Sequence, residues 1–175
     1  QLDTNGNWTY SATNNAANIQ ELAVGQSFVD VITVQSIGGD DITVSITIDG
    51  ANDAPNIALQ MPDLTFADGD SPAISMVNRF ADLDAGADVF TYSTTGLPPG
   101  LTIDTNTGAI SGTLPANASD SGPYTVTVRA TDALGATADM TFDIAVTNPA
   151  PVQLFALNDE AAVTQTAFSL NVGPA

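Results

Sequence analysis

The chain has 175 residues, 43% of them hydrophobic, and sets 20 acids against two arginines, Arg79 and Arg129, with neither lysine nor histidine; its formal charge is −18. Phosphate recognition needs cations that replace counterions, so nucleic acid is excluded as a partner, and so is an anionic membrane surface. Cysteine is absent and no apolar run nears the ~20 residues that span a bilayer, yet the hydrophobic content suffices for a packed core.

All but two of the acids are aspartate, which prefers turns and loop ends to helix surfaces. Aspartate in loops suits a Ca²⁺-binding β protein, and an acidic surface also suits a saline habitat. The chain begins at Gln1, with no basic stretch ahead of an apolar one, and reads as an excised or processed piece of something longer.

In chain order, Asp3-Thr4-Asn5-Gly6-Asn7 is a turn signal and Trp8–Ala12 a strand. Asn14–Leu22 holds one or two helical turns, with Asn15 as cap and Gly25 as stop. Strands over Phe28–Gln35 and Ile42–Asp49 follow, joined by Gly38-Gly39-Asp40. In the second, Ile42, Val44, Ile46 and Ile48 alternate with Thr43, Ser45, Thr47 and Asp49, giving one wet and one buried face. Three strands make a thin unit, so residues 1–53 are expected to be a partial β domain. Asp49-Gly50-Ala51-Asn52-Asp53-Ala54-Pro55, bracketed by Gly and Pro, reads as a linker.

The alternation then resumes. Strands are expected at Ile57–Gln60, Leu64–Phe66, Ala73–Val77, Val89–Ser93, Leu101–Ile103, Ala109–Gly112, Tyr124–Ala130 and Ala138–Val146. In the last two, Val126 and Val128, and Met140, Phe142 and Ile144, share the face that points into a core. Short strands with Gly, Pro and Asn turns and no helical period indicate an all-β antiparallel sandwich over residues 54–148. Thr147-Asn148-Pro149-Ala150-Pro151 resembles the first linker without its carboxylate, and Phe168-Ser169-Leu170 answers Ile74-Ser75-Met76. Residues 149–175 are therefore expected to be the first strands of a further repeat, or an exchanged strand.

Asp82, Asp84 and Asp88 crowd one loop of the sandwich. Short carboxylates so placed either splay into water or wrap a hard cation that takes about six to eight oxygens. The loop is not an EF-hand: with Asp82 first, Gly86 falls fifth rather than sixth, and Ser93 stands where a bidentate glutamate is required. Asp104, ahead of Asn106 and Gly108, is expected to be a hairpin-turn residue. Asp63, Asp68, Asp70, Asp159 and Glu160 are expected to be solvated loop charges. Trp8, Tyr10, Tyr92 and Tyr124 are too scattered for a sugar-stacking platform and are expected in the cores.

Two family resemblances rest on these residues. Asn5-Gly6-Asn7-Trp8-Thr9-Tyr10, Leu22-Ala23-Val24-Gly25-Gln26 and Asn52-Asp53-Ala54-Pro55 resemble the C-terminal half of a VCBS-type repeat. Gly96-Leu97-Pro98-Pro99-Gly100-Leu101-Thr102-Ile103-Asp104, Thr107-Gly108-Ala109-Ile110-Ser111-Gly112-Thr113, Tyr124-Thr125-Val126 and Ala130-Thr131-Asp132 resemble the dystroglycan-type cadherin-like, or immunoglobulin-like, domain. Such repeats occur in the stalks of large bacterial surface proteins, including RTX-type adhesins. The resemblance implies tandem immunoglobulin/cadherin-like sandwiches that bind Ca²⁺ where consecutive domains meet. It maps the linker ligands onto Asn52 and Asp53, the loop ligands onto Asp82 and Asp84, with Asp88 as a displaced third, and the late acid onto Asp132. The second linker, lacking a carboxylate, is expected to be stiffened by its prolines alone.

An enzyme is hard to assemble without histidine, cysteine or lysine, and none is expected. The function expected is an extracellular, Ca²⁺-stabilised spacer of a secreted bacterial cell-surface adhesin, serving cell adhesion and biofilm. Its partners are neighbouring repeats of the chain, with surface glycans or proteins beyond them, and it does not insert into membranes. The alternatives are a carbohydrate- or peptide-binding module and a filament subunit assembled by strand addition.

Overall fold

β-branched residues alternating with polar ones build two separate sheet systems in this chain. The computed structural model describes residues 8–12, 17–35, 38–84 and 89–150. The expected opening turn, the cap at Asn15 and the strands of 151–175 lie outside the described residues. Within the expected helix, α1 (Ala17–Gln20) is a single turn. It gives way to a tight bend in which Gln26 Oε1 accepts from Ala23 N at 3.0 Å and Gly25 takes φ +86°. The strand expected at Trp8–Ala12 reduces to an isolated bridge at Trp8. Burial, then the neighbouring Asp30 carboxylate, raise the pKa of Tyr10. Trp8, expected in a core, is 56% exposed.

β1 (Ser27–Gln35) and β2 (Asp41–Asp49) form a two-stranded antiparallel ribbon. Its register runs without a bulge from Ser27 opposite Asp49 to Gln35 opposite Asp41. Phe28 lies opposite Ile48, Ile32 opposite Val44 and Val34 opposite Ile42, so one face is apolar apart from Asp30, which lies opposite Ile46. The expectation that this face is buried is not met. No ribbon residue joins the hydrophobic core, and Ile42 remains 53% exposed. Two strands make one layer, and burial needs a second.

The remaining strands are β3 (Asn56–Ile57), β4 (Leu64–Ala67), β5 (Ala73–Ile74), β6 (Phe80–Ala81), β7 (Thr91–Thr95), β8 (Leu101–Ile103), β9 (Ile110–Gly112), β10 (Tyr124–Thr131) and β11 (Thr137–Thr147). One sheet has the order β4-β11-β10-β7, another β5-β9-β8, and β3 pairs with β6. β10 and β11 run as a long hairpin with Val126 opposite Phe142 and Val128 opposite Met140, cross-strand pairs that face inward. Val126, Val128, Ala130, Met140 and Ile144 are fully buried, and Met76, Ile110 and Leu114 join the same core. Gly108, at φ +68°, is required there, since a Cβ would come within 2.8 Å of Met76 Cβ.

The pairing departs from a purely antiparallel sandwich at one place: β4 runs parallel to β11, Leu64 opposite Ile144 and Ala67 opposite Thr147. Parallel partners need a long crossover, and the rest of the sandwich supplies it. The strands expected at Ile57–Gln60 and Ala73–Val77 shrink to two residues each. The cause is local. Ala58 N and Leu59 N both donate to Arg79 O, and Asn78 takes φ +58° in the turn that closes Arg79 N on Met76 O. β6 escaped the alternation altogether, because two residues carry no period.

Candidate functional site

One end of the sandwich gathers the three acidic segments that the sequence keeps far apart. β6 delivers Asp82 and Asp84, the end of β10 delivers Asp132, and the segment entering β3 brings Asn52 and Asp53. All five side chains are half-buried. Asp88 lies outside the described residues.

Asp132 organises the hairpin turn between β10 and β11. Its Oδ1 accepts from Leu134 N at 2.9 Å and Ala136 N at 2.8 Å, while its main chain closes on Ala136 O at 3.0 Å. The other oxygen accepts from Asn52 Nδ2 at 2.8 Å. This bond, then those from the turn amides, hold the Asp132 carboxyl below the usual carboxylate range against the opposing effect of burial.

Asp84 is placed differently. Its Oδ2 accepts from Asp53 N at 3.1 Å, and its own N–H donates to Asp82 Oδ1 at 3.2 Å. Its Oδ1 is buried without a hydrogen-bond partner. Desolvation raises the Asp84 pKa, the negative charges of Asp82, Asp53 and Asp132 add to the rise, and the Asp53 amide opposes it. Asp84 thus feels the charges of the other three carboxylates. Among the described residues, however, no three acidic side chains stand at the spacing of a formed metal site.

A hard cation is nevertheless the group this donor set fits. The set offers carboxylate and amide oxygens and no nitrogen or sulfur ligand of the softer metals. An orphaned anionic oxygen raised in energy by the charges of three further carboxylates is the environment a cation would relieve. Asn52 would contribute its amide oxygen, Asp53, Asp82, Asp84 and Asp132 their carboxylates.

The other acids have structural duties. Asp104 Oδ1 accepts from Asn106 N and Thr107 N, each at 2.9 Å, as a hairpin-turn residue should. Asp63 and Asp70 are exposed, as expected, and Asp68 is half-buried, but each also accepts a hydrogen bond. Asp68 takes Ser119 N at 2.8 Å and Ser119 Oγ at 2.6 Å, Asp70 takes Ala67 N at 2.7 Å, and Asp63 takes Asp143 N at 2.9 Å. Asp70 and Asp63 satisfy backbone donors of β4 and β11, and Asp68 one of the helical turn Ala118–Ser121.

Two features escaped the sequence reading. Gly50 is no loose hinge: its N–H donates to Gln26 O at 2.9 Å, and an added Cβ would overlap the carbonyl oxygens of Leu22 and Ala23. On the outer face of the large sheet, Arg129 pairs with Asp139 in two bonds of 2.7 Å. That pair was legible, since a hairpin turning about Asp132–Ala136 sets the two opposite each other.

Residues 54–147 match the family model described as Putative Ig domain. No curated protein is matched by the chain. Among solved structures, a putative alpha-galactosidase from Bacteroides fragilis is 26% identical over 53% of this chain and 17% of its own, with a TM-score of 0.40. Mouse cadherin-23 EC22-24 is 17% identical over 68% of this chain and 42% of its own, with a TM-score of 0.46. The protocadherin gammaB7 EC3-6 cis-dimer structure is 18% identical over 70% of this chain and 34% of its own, with a TM-score of 0.47. In each case the chain spans well under two thirds of the structure it resembles.

Proposed function

The chain belongs to the Putative Ig domain family, and from that premise we propose that it is an extracellular spacer whose first junction is stabilised by Ca²⁺. In this reading residues 1–53 are the C-terminal half of a VCBS-type module, 54–148 a cadherin-like sandwich and 149–175 the start of another unit. The whole serves as stalk in a large bacterial surface adhesin of the RTX type, acting in adhesion and biofilm. Its immediate partners are the neighbouring repeats.

The observation that carries the reading is Asp84 Oδ1, buried and unpartnered, on a carboxylate that feels the charges of Asp53, Asp82 and Asp132. Ca²⁺ bound there by the folded form alone raises stability by mass action. Calorimetry of the chain with CaCl₂ and with chelator tests it. Calcium is expected to raise Tm in the parent and to leave Tm unchanged in Asp84→Asn. Coincident parent curves would overturn the reading. The role is non-catalytic, and the inventory supports that: the chain has no histidine, cysteine or lysine to form a nucleophile–base pair.

A second reading, a filament subunit built by strand addition, is favoured by the ribbon. Its apolar face is half-exposed, with Val34 at 41% and Ile42 at 53%, and its nine-residue strands carry neither Pro nor Lys to blunt their edges. Concentration-dependent oligomers in sedimentation, abolished by Ile42→Lys, would support it; a monomer at all concentrations would exclude it.

A further inference from the structure

The outer face of the large sheet carries a constellation unrelated to the junction. The strand register sets Ser93, Arg129 and Asp139 in one row across β7, β10 and β11, with Thr95, Thr127 and Thr141 in the next. Arg129 Nε and Nη2 both donate to Asp139 at 2.7 Å, which draws the guanidinium toward β11. An open cavity of about 160 Å³ on this face is lined by Ser93, Thr94, Thr95, Thr127, Arg129 and Asp139.

We propose that this cavity binds a neutral saccharide through neighbouring hydroxyls of one sugar ring. A guanidinium carries five N–H donors, and Asp139 occupies only two; a carboxylate keeps lone pairs beyond the two that Arg129 fills. Donors and acceptors therefore stand side by side, and vicinal hydroxyls, each of which donates and accepts, answer both at once. Ser93 and Thr95 present exposed hydroxyls of the same dual character along the rim.

Charge selects against anionic ligands. Asp139 neutralises Arg129 locally, and the chain as a whole carries −18, so a sulfated or carboxylated sugar meets no net positive potential. Among the described residues no aromatic ring lines the cavity. Without stacking, one site holds its sugar in the ~millimolar range. A repeated module reaches useful strength through multiplicity, because linked sites bind as an intramolecular event. The site stands apart from the calcium reading: the saccharide contacts Arg129 and the hydroxyl rows, whereas the cation belongs to Asp84 and its neighbours.

Two-dimensional amide NMR of the full chain in CaCl₂ decides it, with lactose, maltose and mannobiose as neutral probes and glucuronate and sulfate as anionic ones. At least one neutral sugar is expected to shift the amides of Ser93, Thr95, Thr127 and Arg129, with saturation in the ~millimolar range. Ser93→Val with Thr95→Val keeps the ion pair and the strand preference, and is expected to weaken that binding about tenfold or more at unchanged Tm. Arg129→Met is expected to abolish it. The proposal is overturned by an absence of shifts at ~50 mM sugar, by equal binding in the double valine variant, or by preferential binding of glucuronate or sulfate.

Discussion

Phe142 on β11 sits opposite Val126 and is 3% exposed, so its ring is wholly part of the core. Truncation to Ala is expected to cost about 3–5 kcal/mol, from lost transfer energy plus the cavity left behind. Urea titration with an unchanged slope would measure it; a cost under about 1 kcal/mol would put the ring on the wrong face. Asp84 and Asp132 respond to pH with opposite signs. The Asp132 pKa is lowered on folding, chiefly by Asn52, so its contribution is present above the ordinary carboxylate range and lost as pH falls through the folded value. The Asp84 pKa is raised, chiefly by desolvation, so in chelator its ionisation costs stability as pH rises through the folded value. Asp84→Asn in chelator is therefore expected to melt above the parent at neutral pH and no higher than the parent in acid. A lower Tm at neutral pH would mean that the carboxylate is already satisfied.

At the scale of elements, legibility followed period. β10 and β11 were readable because each is long enough to alternate and each has one dry face; their burial follows the alternation residue by residue. β3, β5 and β6 are two residues long and are set by tertiary hydrogen bonds such as those onto Arg79 O. The meeting of Asn52 with Asp132 and of Asp53 with Asp84 was legible only through family resemblance, since spacing along the chain says nothing of it. The ribbon misled for the converse reason: the alternation of β2 is as clean as that of β11, but alternation reports which face is apolar, not whether a second layer covers it. Gly50 ties the ribbon to the bend at Leu22–Gln26. Gly50→Ala is expected to cost the ribbon about 1–3 kcal/mol by overpacking, seen as faster hydrogen exchange in β1 and β2 with β10 and β11 unchanged. Unchanged exchange in the ribbon would show that the contact is soft.

For the whole molecule, the proposed order of units makes its two junctions unlike. Ahead of the sandwich, Gly50 is fixed to Gln26 and Asn52 to Asp132, and the carboxylates beside them are the proposed cation ligands. Behind it, Thr147 O accepts from Asp68 N at 2.9 Å, and Asn148, Pro149 and Ala150 bring no carboxylate. The sequence places prolines at 149 and 151, whose restricted φ is expected to favour an extended path without metal. Small-angle scattering of the chain extended to three complete units is expected to show a wider angle distribution at the first junction after chelation and no change at the second. Equal responses would refute the asymmetry.

The parallel pairing of β4 with β11 gains its meaning under tension. The chain enters β4 from the junction end and leaves β11 at the opposite end, so opposed pulls on the two sides drag these neighbours past each other. The rungs from Leu64–Ile144 to Ala67–Thr147 are then strained together in shear, whereas a hairpin such as β10–β11, pulled at its open end, would unzip rung by rung. Forced rupture is governed by the unfolding rate rather than by equilibrium stability. A short patch of parallel ladder can thus give a tether strength against load out of proportion to its four residue pairs.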